Sequence, residues 1–339
     1  MSKPLRQLLL EGLQTWAGIG QPSLLLFKRE MLAEAMDFVE SHVDAKYIDD
    51  KLREYFRDAN WAGSAAIVEK VFQLVGEAQF WMLAKQRAVN VERIDETSNK
   101  TPDFRLASAH RPSACFEIKT VSVVGGTEAL AKMHDQRFES ELRMRRQLSA
   151  GKRVGFDIQM ESPHGEIPDG QDLLTICRVL INKLGNNIKD KQYTGATTFL
   201  VANLSIIDGY FLGNVELKPM HKEEQERFWD HTGILWTVAF GQMNDEVRGF
   251  RRDEEESNVQ GTLDLQGVLV DPQFGSVAGI LFIVHPANGD SKLFGAWNSA
   301  RFADWSRTQP DLVEALNKLV GTDWNDEANS NATNLNSFH

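Results

Sequence analysis

Three ionisable residues stand where strand-like segments should be apolar. Asp103 lies just inside "PDFRLAS" (102–108), and Glu117 and Lys119 lie inside "ACFEIKTVSVV" (114–124). Strand interiors disfavour Asp, Glu and Lys, and burying a charge without a partner is costly. Side chains alternate across a strand, so Glu117 and Lys119 share one face while Phe116 and Ile118 share the other. In the first segment Asp103 lies opposite the face of Phe104 and Leu106. Paired as an antiparallel hairpin, the two strands bring all three charges to one surface and leave an apolar face to pack on a helix. Carboxylates are hard oxygen ligands, suited to Mg²⁺ or Mn²⁺ rather than zinc. A lysine beside a bound metal can orient a water, help deprotonate it, or neutralise charge growing on a phosphate. Those are the requirements of phosphodiester hydrolysis.

The elements that must hold these residues follow from hydrophobic periodicity. Residues 1 to about 62 read as helical: "PSLLLFKREMLAEAMDFVESHV" has helical spacing with Ser23 as cap, and "AKYIDDKLREYFRDAN" continues it. A helix from about Ser64 to Arg87 carries Ile67, Val71, Leu74, Ala78 and Trp81 as one apolar stripe. Glu69 falls opposite that stripe and Glu77 at its edge. Strand-like segments follow at 88–94, 102–108 and 114–124, separated by turn-rich "DETSNK" and "AHRPS". A second helix runs from Thr127, its cap, to a terminator at Gly151, and "KRVGFDIQM" (152–160) reads as a fourth strand. A helix at 170–185 and a strand at 196–205 come next. Beyond them "GILWTVAFG", "VAGILFIV" and "KLFGAWN" read as strand-like, with a short helix from Asp311 to Leu319. "RRDEEES" (251–257) reads as an exposed loop, and the Asn-rich tail from about Asp323 as disordered.

Pro102-Asp103, the thirteen residues 104–116, and then Glu117-Ile118-Lys119 resemble the signature of the PD-(D/E)XK nuclease superfamily. The resemblance covers the helix–strand–strand–strand–helix–strand order from about Ser64 to Met160. It implies an α/β restriction-endonuclease-like core, α-β-β-β-α-β, with a mixed central sheet flanked by helices. An N-terminal helical segment (1–62) would precede this core (63–210), and a C-terminal α+β extension (211–322) and a disordered tail (323–339) would follow. Carried over by position, Asp103 and Glu117 would bind Mg²⁺ or Mn²⁺ and Lys119 would act on the attacking water. Glu77 falls where many members of the superfamily carry an additional metal-binding glutamate. The implied activity is a metal-dependent nuclease, with DNA favoured as substrate, in keeping with a bacterial defence or restriction system. The alternatives are a catalytically inactive binding module on the same fold, and an RNase. Each residue also has a plainer reading: Asp103 as a strand start after proline, Glu117 and Lys119 as a solvated strand face, Glu77 as a surface glutamate.

Composition sets outer limits. The 339 residues are 42% hydrophobic and 25% charged, as in ordinary globular proteins. A net charge of −11 argues against a protein that coats nucleic acid indiscriminately, so a homo-oligomer or a partner protein is expected to supply affinity for the nucleic acid. Charge is segregated: residues 128–153 hold seven Lys or Arg against four Asp or Glu, whereas 219–256 hold five against ten. Arg143, Arg145 and Arg146 in the basic stretch are candidate phosphate contacts, with a solvated helix face as the competing reading. Gln159, two residues after Asp157, is placed to reach the same surface as the carboxylates, against a structural role. Cys115 and Cys177 sit in apolar segments and are expected to be reduced core residues of a cytoplasmic protein without a membrane partner. The histidines show no metal-ligand spacing, and there is no phosphate-binding glycine loop or nucleophile elbow.

Overall fold

A computed structural model describes residues 3–17, 29–58, 61–95, 101–107, 114–121, 126–157, 172–189, 193, 196–206, 234–249, 258–285, 290–321 and 324–325. The fold is α/β, with a mixed central sheet flanked by helices. The chain divides into two compact units, 1–82 with 122–166, and 83–121 with 167–339.

The first unit is helical: α1 (Leu5–Ala17), α2 (Arg29–Ser41), α3 (Lys46–Tyr55), α4 (Ala65–Gln86, whose last turn belongs to the second unit) and α5 (Gly126–Ser149). Leu5, Leu9, Leu32, Met36, Ile48 and Leu52 are fully buried, as their helical spacing requires. Gly12 is needed because a Cβ there would lie 2.2 Å from Nε1 of Trp61. Arg53 ties the bundle together by donating to Asp49, Glu40 and the Lys3 carbonyl. Glu77 of α4 is buried, 5% exposed, rather than at the surface.

The second unit is built on a seven-stranded sheet in the order β1-β2-β3-β4-β7-β8-β9. Its strands are β1 (Val91–Arg93), β2 (Phe104–Leu106), β3 (Cys115–Thr120), β4 (Thr198–Asn203), β7 (Val277–Val284), β8 (Lys292–Ala296) and β9 (Trp324–Asn325). The first three form an antiparallel meander, while β3, β4 and β7 run parallel. A separate hairpin joins β5 (Glu246–Gly249) to β6 (Asn258–Thr262). Every residue of β4 and β7 is buried, which explains the apolar runs FLVA inside β4 and VAGILFIV in β7. One sheet face, with Leu200, Ala202, Ile280, Phe282 and Phe294, packs in one core with residues of α6 (Asp172–Asn187) and α7 (Ile234–Phe240). On the other, Phe199 meets Phe116 at 6.1 Å and Trp305 of α8 (Ser299–Thr308) edge-on at 5.4 Å. Helix α9 (Pro310–Val320) follows α8.

The structure departs from the sequence expectations in several places. Residues 152–157 are not a strand. They are strapped to α5 instead: the Gln147 amide donates to the Phe156 carbonyl at 2.8 Å and accepts from the Phe156 N–H at 3.0 Å. Arg143 holds Asp157 at 2.9 Å, and Gly155 lies so close to Met144 that a Cβ would sit 2.6 Å from its carbonyl oxygen. "GILWTVAFG" forms helix α7, not a strand; six of its seven residues are buried apolar side chains, so it has no polar face to reveal its period. Trp324 and Asn325, expected in a disordered tail, pair with β8, and the Trp324 ring stacks on Trp297 at 5.6 Å. Strands β7, β8 and β9, all beyond residue 210, extend the same sheet as the expected core. Ser23, Gln159, the 251–257 stretch and residues 326–339 lie outside the described residues. Among the described residues no helix is long and apolar enough to cross a membrane.

Candidate active site

Strand β2 pairs with β3 through Phe104↔Phe116 and Arg105↔Cys115. One further step of that register sets Asp103 opposite Glu117, with both side chains on the face away from Phe104 and Phe116. The ladder explains the aspartate. Cys115 and Val121 donate their N–H groups to the β4 side, to Thr197 and Asn203. Backbone alternation therefore turns the Ile118 N–H towards β2, at the point where β2 begins. The Asp103 carboxylate accepts that hydrogen bond at 2.7 Å, replacing a ladder partner.

Glu117 is only 1% exposed, although its neighbours on the sheet face are Leu200 and the rest of an apolar core. Its Oε1 accepts from Lys119 Nζ at 2.5 Å, and Lys119 keeps 20% of its side chain exposed. A carboxylate withdrawn from water in this way needs a counter-charge, and Lys119, two residues on and on the same face, supplies it. The Asp103 contact to the intervening Ile118 amide brings all three groups together around one strand segment. Glu77 belongs to the other compact unit, and Arg143, Arg145 and Arg146 lie on α5 of that unit. Arg143 is ion-paired with Asp157 and Glu139, and Arg145 with Glu141. These are contacts of a solvated helix face, and the Arg143 hydrogen bond, followed by one from Ser140, holds the Asp157 carboxyl below the usual range.

Both cysteines are free and buried, as their apolar context indicates. Burial pushes the Cys115 thiol up to about 11 and that of Cys177 up to about 12. Sequence reasoning passed over Tyr193. It lies in the polar stretch "KDKQYTG", where only a lone aromatic marked it. The structure buries it, 3% exposed, in the core that lies against the Glu117 face.

Among the described residues no group of three or more His, Cys, Asp and Glu side chains is placed to hold a metal ion. The donors at hand are the Asp103 and Glu117 carboxylates. Two carboxylates fit Mg²⁺, which retains several waters and commonly takes only one or two from the protein. No family model, no curated protein and no solved structure matches this chain.

Proposed function

We propose that the chain is a metal-dependent nuclease of the PD-(D/E)XK type, hydrolysing phosphodiester bonds, with DNA as the favoured substrate. One observation carries this reading: a buried glutamate, its lysine partner and a neighbouring aspartate gathered on adjacent strands of an α/β sheet. The antiparallel meander leading into parallel β4 supports a restriction-endonuclease-like core, although among the described residues α5 is followed by α6 and then β4.

Asp103 and Glu117 would hold a divalent cation, which supplies Lewis acidity and eases deprotonation of a water nearby. The chain's own groups do the rest. The Ile118 amide fixes the Asp103 carboxylate, so its orientation needs no rearrangement before reaction. Lys119 keeps 20% of its side chain exposed, and it is placed to orient an attacking water or to offset charge on the phosphate. Its bond to Glu117 would loosen when a cation takes up that carboxylate's charge, freeing the ammonium for substrate. A cytoplasmic setting, a partner or second copy that supplies affinity for nucleic acid, and a role in bacterial defence or restriction belong to the same proposal.

The test incubates the full chain with supercoiled plasmid, linear duplex DNA and RNA, in Mg²⁺, Mn²⁺ or EDTA. The expected result is cleavage that needs the cation and falls at least about 100-fold in Asp103→Ala. Cleavage that survives EDTA, equal rates in wild type and variant, or no cleavage of any substrate would overturn the reading.

A further inference from the structure

The turn that closes α5 gathers basic and apolar side chains in solvent, with no part in the reaction as described. Gly151, at a φ of 84°, ends the helix in the left-handed region. Its N–H donates to the Leu148 carbonyl and that of Lys152 to the Gln147 carbonyl, so two carbonyls of the last turn are satisfied and the chain reverses. Residues 152–157 then run back along α5, held by Gln147 to Phe156 and by Arg143 to Asp157. Residues 142–156 hold five Lys or Arg and no Asp or Glu, in a chain whose net charge is −11. Arg143 and Arg145 are committed to Glu139, Glu141 and Asp157. Arg146, Lys152 and Arg153 are exposed. Beside them stand Val154 and Phe156, 73% and 66% exposed, with Leu148 against the strap at Gly155. The Phe156 ring is in water, yet both its main-chain groups are fixed by one side chain, so it is presented on an anchored backbone.

We propose, resting on the nuclease reading above for the choice of polymer, that this turn is a seat for single-stranded nucleic acid. Phe156 stacks on a base, and Arg146, Lys152 and Arg153 meet the adjoining phosphates. Charge complementarity selects a polyanion. The exposed ring selects one whose bases are unstacked, because a duplex keeps its base faces covered. A membrane surface fits less well: it takes an amphipathic helix with a continuous apolar face, whereas the outer face of α5 carries Arg–Glu pairs. The turn lies wholly within the helical unit, so binding there needs neither the sheet carboxylates nor a metal.

The test follows the fluorescence anisotropy of a labelled single-stranded DNA of about 16 nucleotides with the full chain in EDTA, so that binding is read without metal-dependent cleavage. A duplex of the same sequence and vesicles of phosphatidylserine and phosphatidylcholine are the comparisons. The expected result is tighter binding to the single strand than to either. Phe156→Ala should raise its Kd about 10-fold or more, and Phe156→Trp should keep it. Replacing Arg146, Lys152 and Arg153 together by Ala should lower the slope of log affinity against log salt by about 2, at roughly 0.7 per phosphate contact. Melting temperatures should stay at the wild-type value, because every altered side chain is exposed. An unchanged Kd in Phe156→Ala or in the triple variant, tighter binding to the duplex, or binding to the vesicles alone would overturn the proposal. So would loss of folding in both variants, which would make the turn a structural element. Mg²⁺-dependent plasmid cleavage by a wild type that binds no single strand would overturn this proposal and leave the nuclease reading intact. Strand binding without cleavage of any substrate would overturn the nuclease reading alone.

Discussion

The β2–β3 carboxylate cluster and the outer face of α5 are made of the same residue types, yet they sit in opposite energetic regimes. On α5, Arg143 and Arg145 are 46% and 72% exposed and pair with Glu139, Glu141 and Asp157. On β3, Glu117 is 1% exposed and its pair with Lys119 lies mostly out of water. Exposed pairs are screened and contribute little. A pair at the edge of an apolar core carries a desolvation cost that an apolar pair of similar size would avoid. Charge retained where it is expensive is what the proposed site would account for, whereas charge on a solvated helix needs no such explanation.

The sharpest way to break this contrast is to remove the lysine. Lys119→Ala leaves a carboxylate that is 1% exposed without its counter-charge, and the expected loss is on the order of 3–5 kcal/mol by urea unfolding. Lys119→Met combined with Glu117→Gln should recover most of that stability while cleavage stays abolished. If the single variant is as stable as wild type, the pair is no more than another surface contact.

Glu77 tests whether a buried carboxylate in the other unit shares the chemistry. Glu77→Gln keeps size and polarity, and with Asp103 and Glu117 as the metal donors the expected outcome is wild-type cleavage across a magnesium titration. Weakened cleavage that high Mg²⁺ rescues would contradict that two-carboxylate site.

The thiols give a pH counterpart. Cys177 has a folded pKa of about 12, above the ordinary thiol value of about 8.5. The unfolded chain thus releases its proton first, and stability should fall as pH rises from about 9 towards 12. Cys177→Ala should flatten that part of a stability–pH curve; an unchanged slope would mean the thiol is not sealed. The smallest effect is expected on α5. Arg143→Ala should move the melting temperature by about 2 °C or less, and a larger drop would show that the strap to Asp157 is structural.

How much of this was legible depended on whether a segment had two distinguishable faces. The β2–β3 hairpin alternates charged and apolar residues, so its strands, its apolar face and the gathering of Asp103, Glu117 and Lys119 followed from periodicity alone. The burial of Glu117 did not follow, because the α6 residues that share the core with its register partner Leu200 are distant in sequence. Residues 234–240 are apolar all round and hid a helix behind a strand-like run. Residues 152–157 looked strand-like in isolation, but the amide of Gln147 claims the backbone of Phe156.

The account stands most directly on whether Asp103 and Glu117 share a cation. Crystals of the full chain soaked in Mn²⁺ and measured for anomalous scattering would show it. The expected result is a peak within about 2.0–2.6 Å of a carboxylate oxygen from each residue, with Lys119 Nζ drawn away from Glu117, and no peak in Asp103→Ala crystals. A saturating soak that leaves those carboxylates without a peak, or places the ion only on other residues, would contradict it.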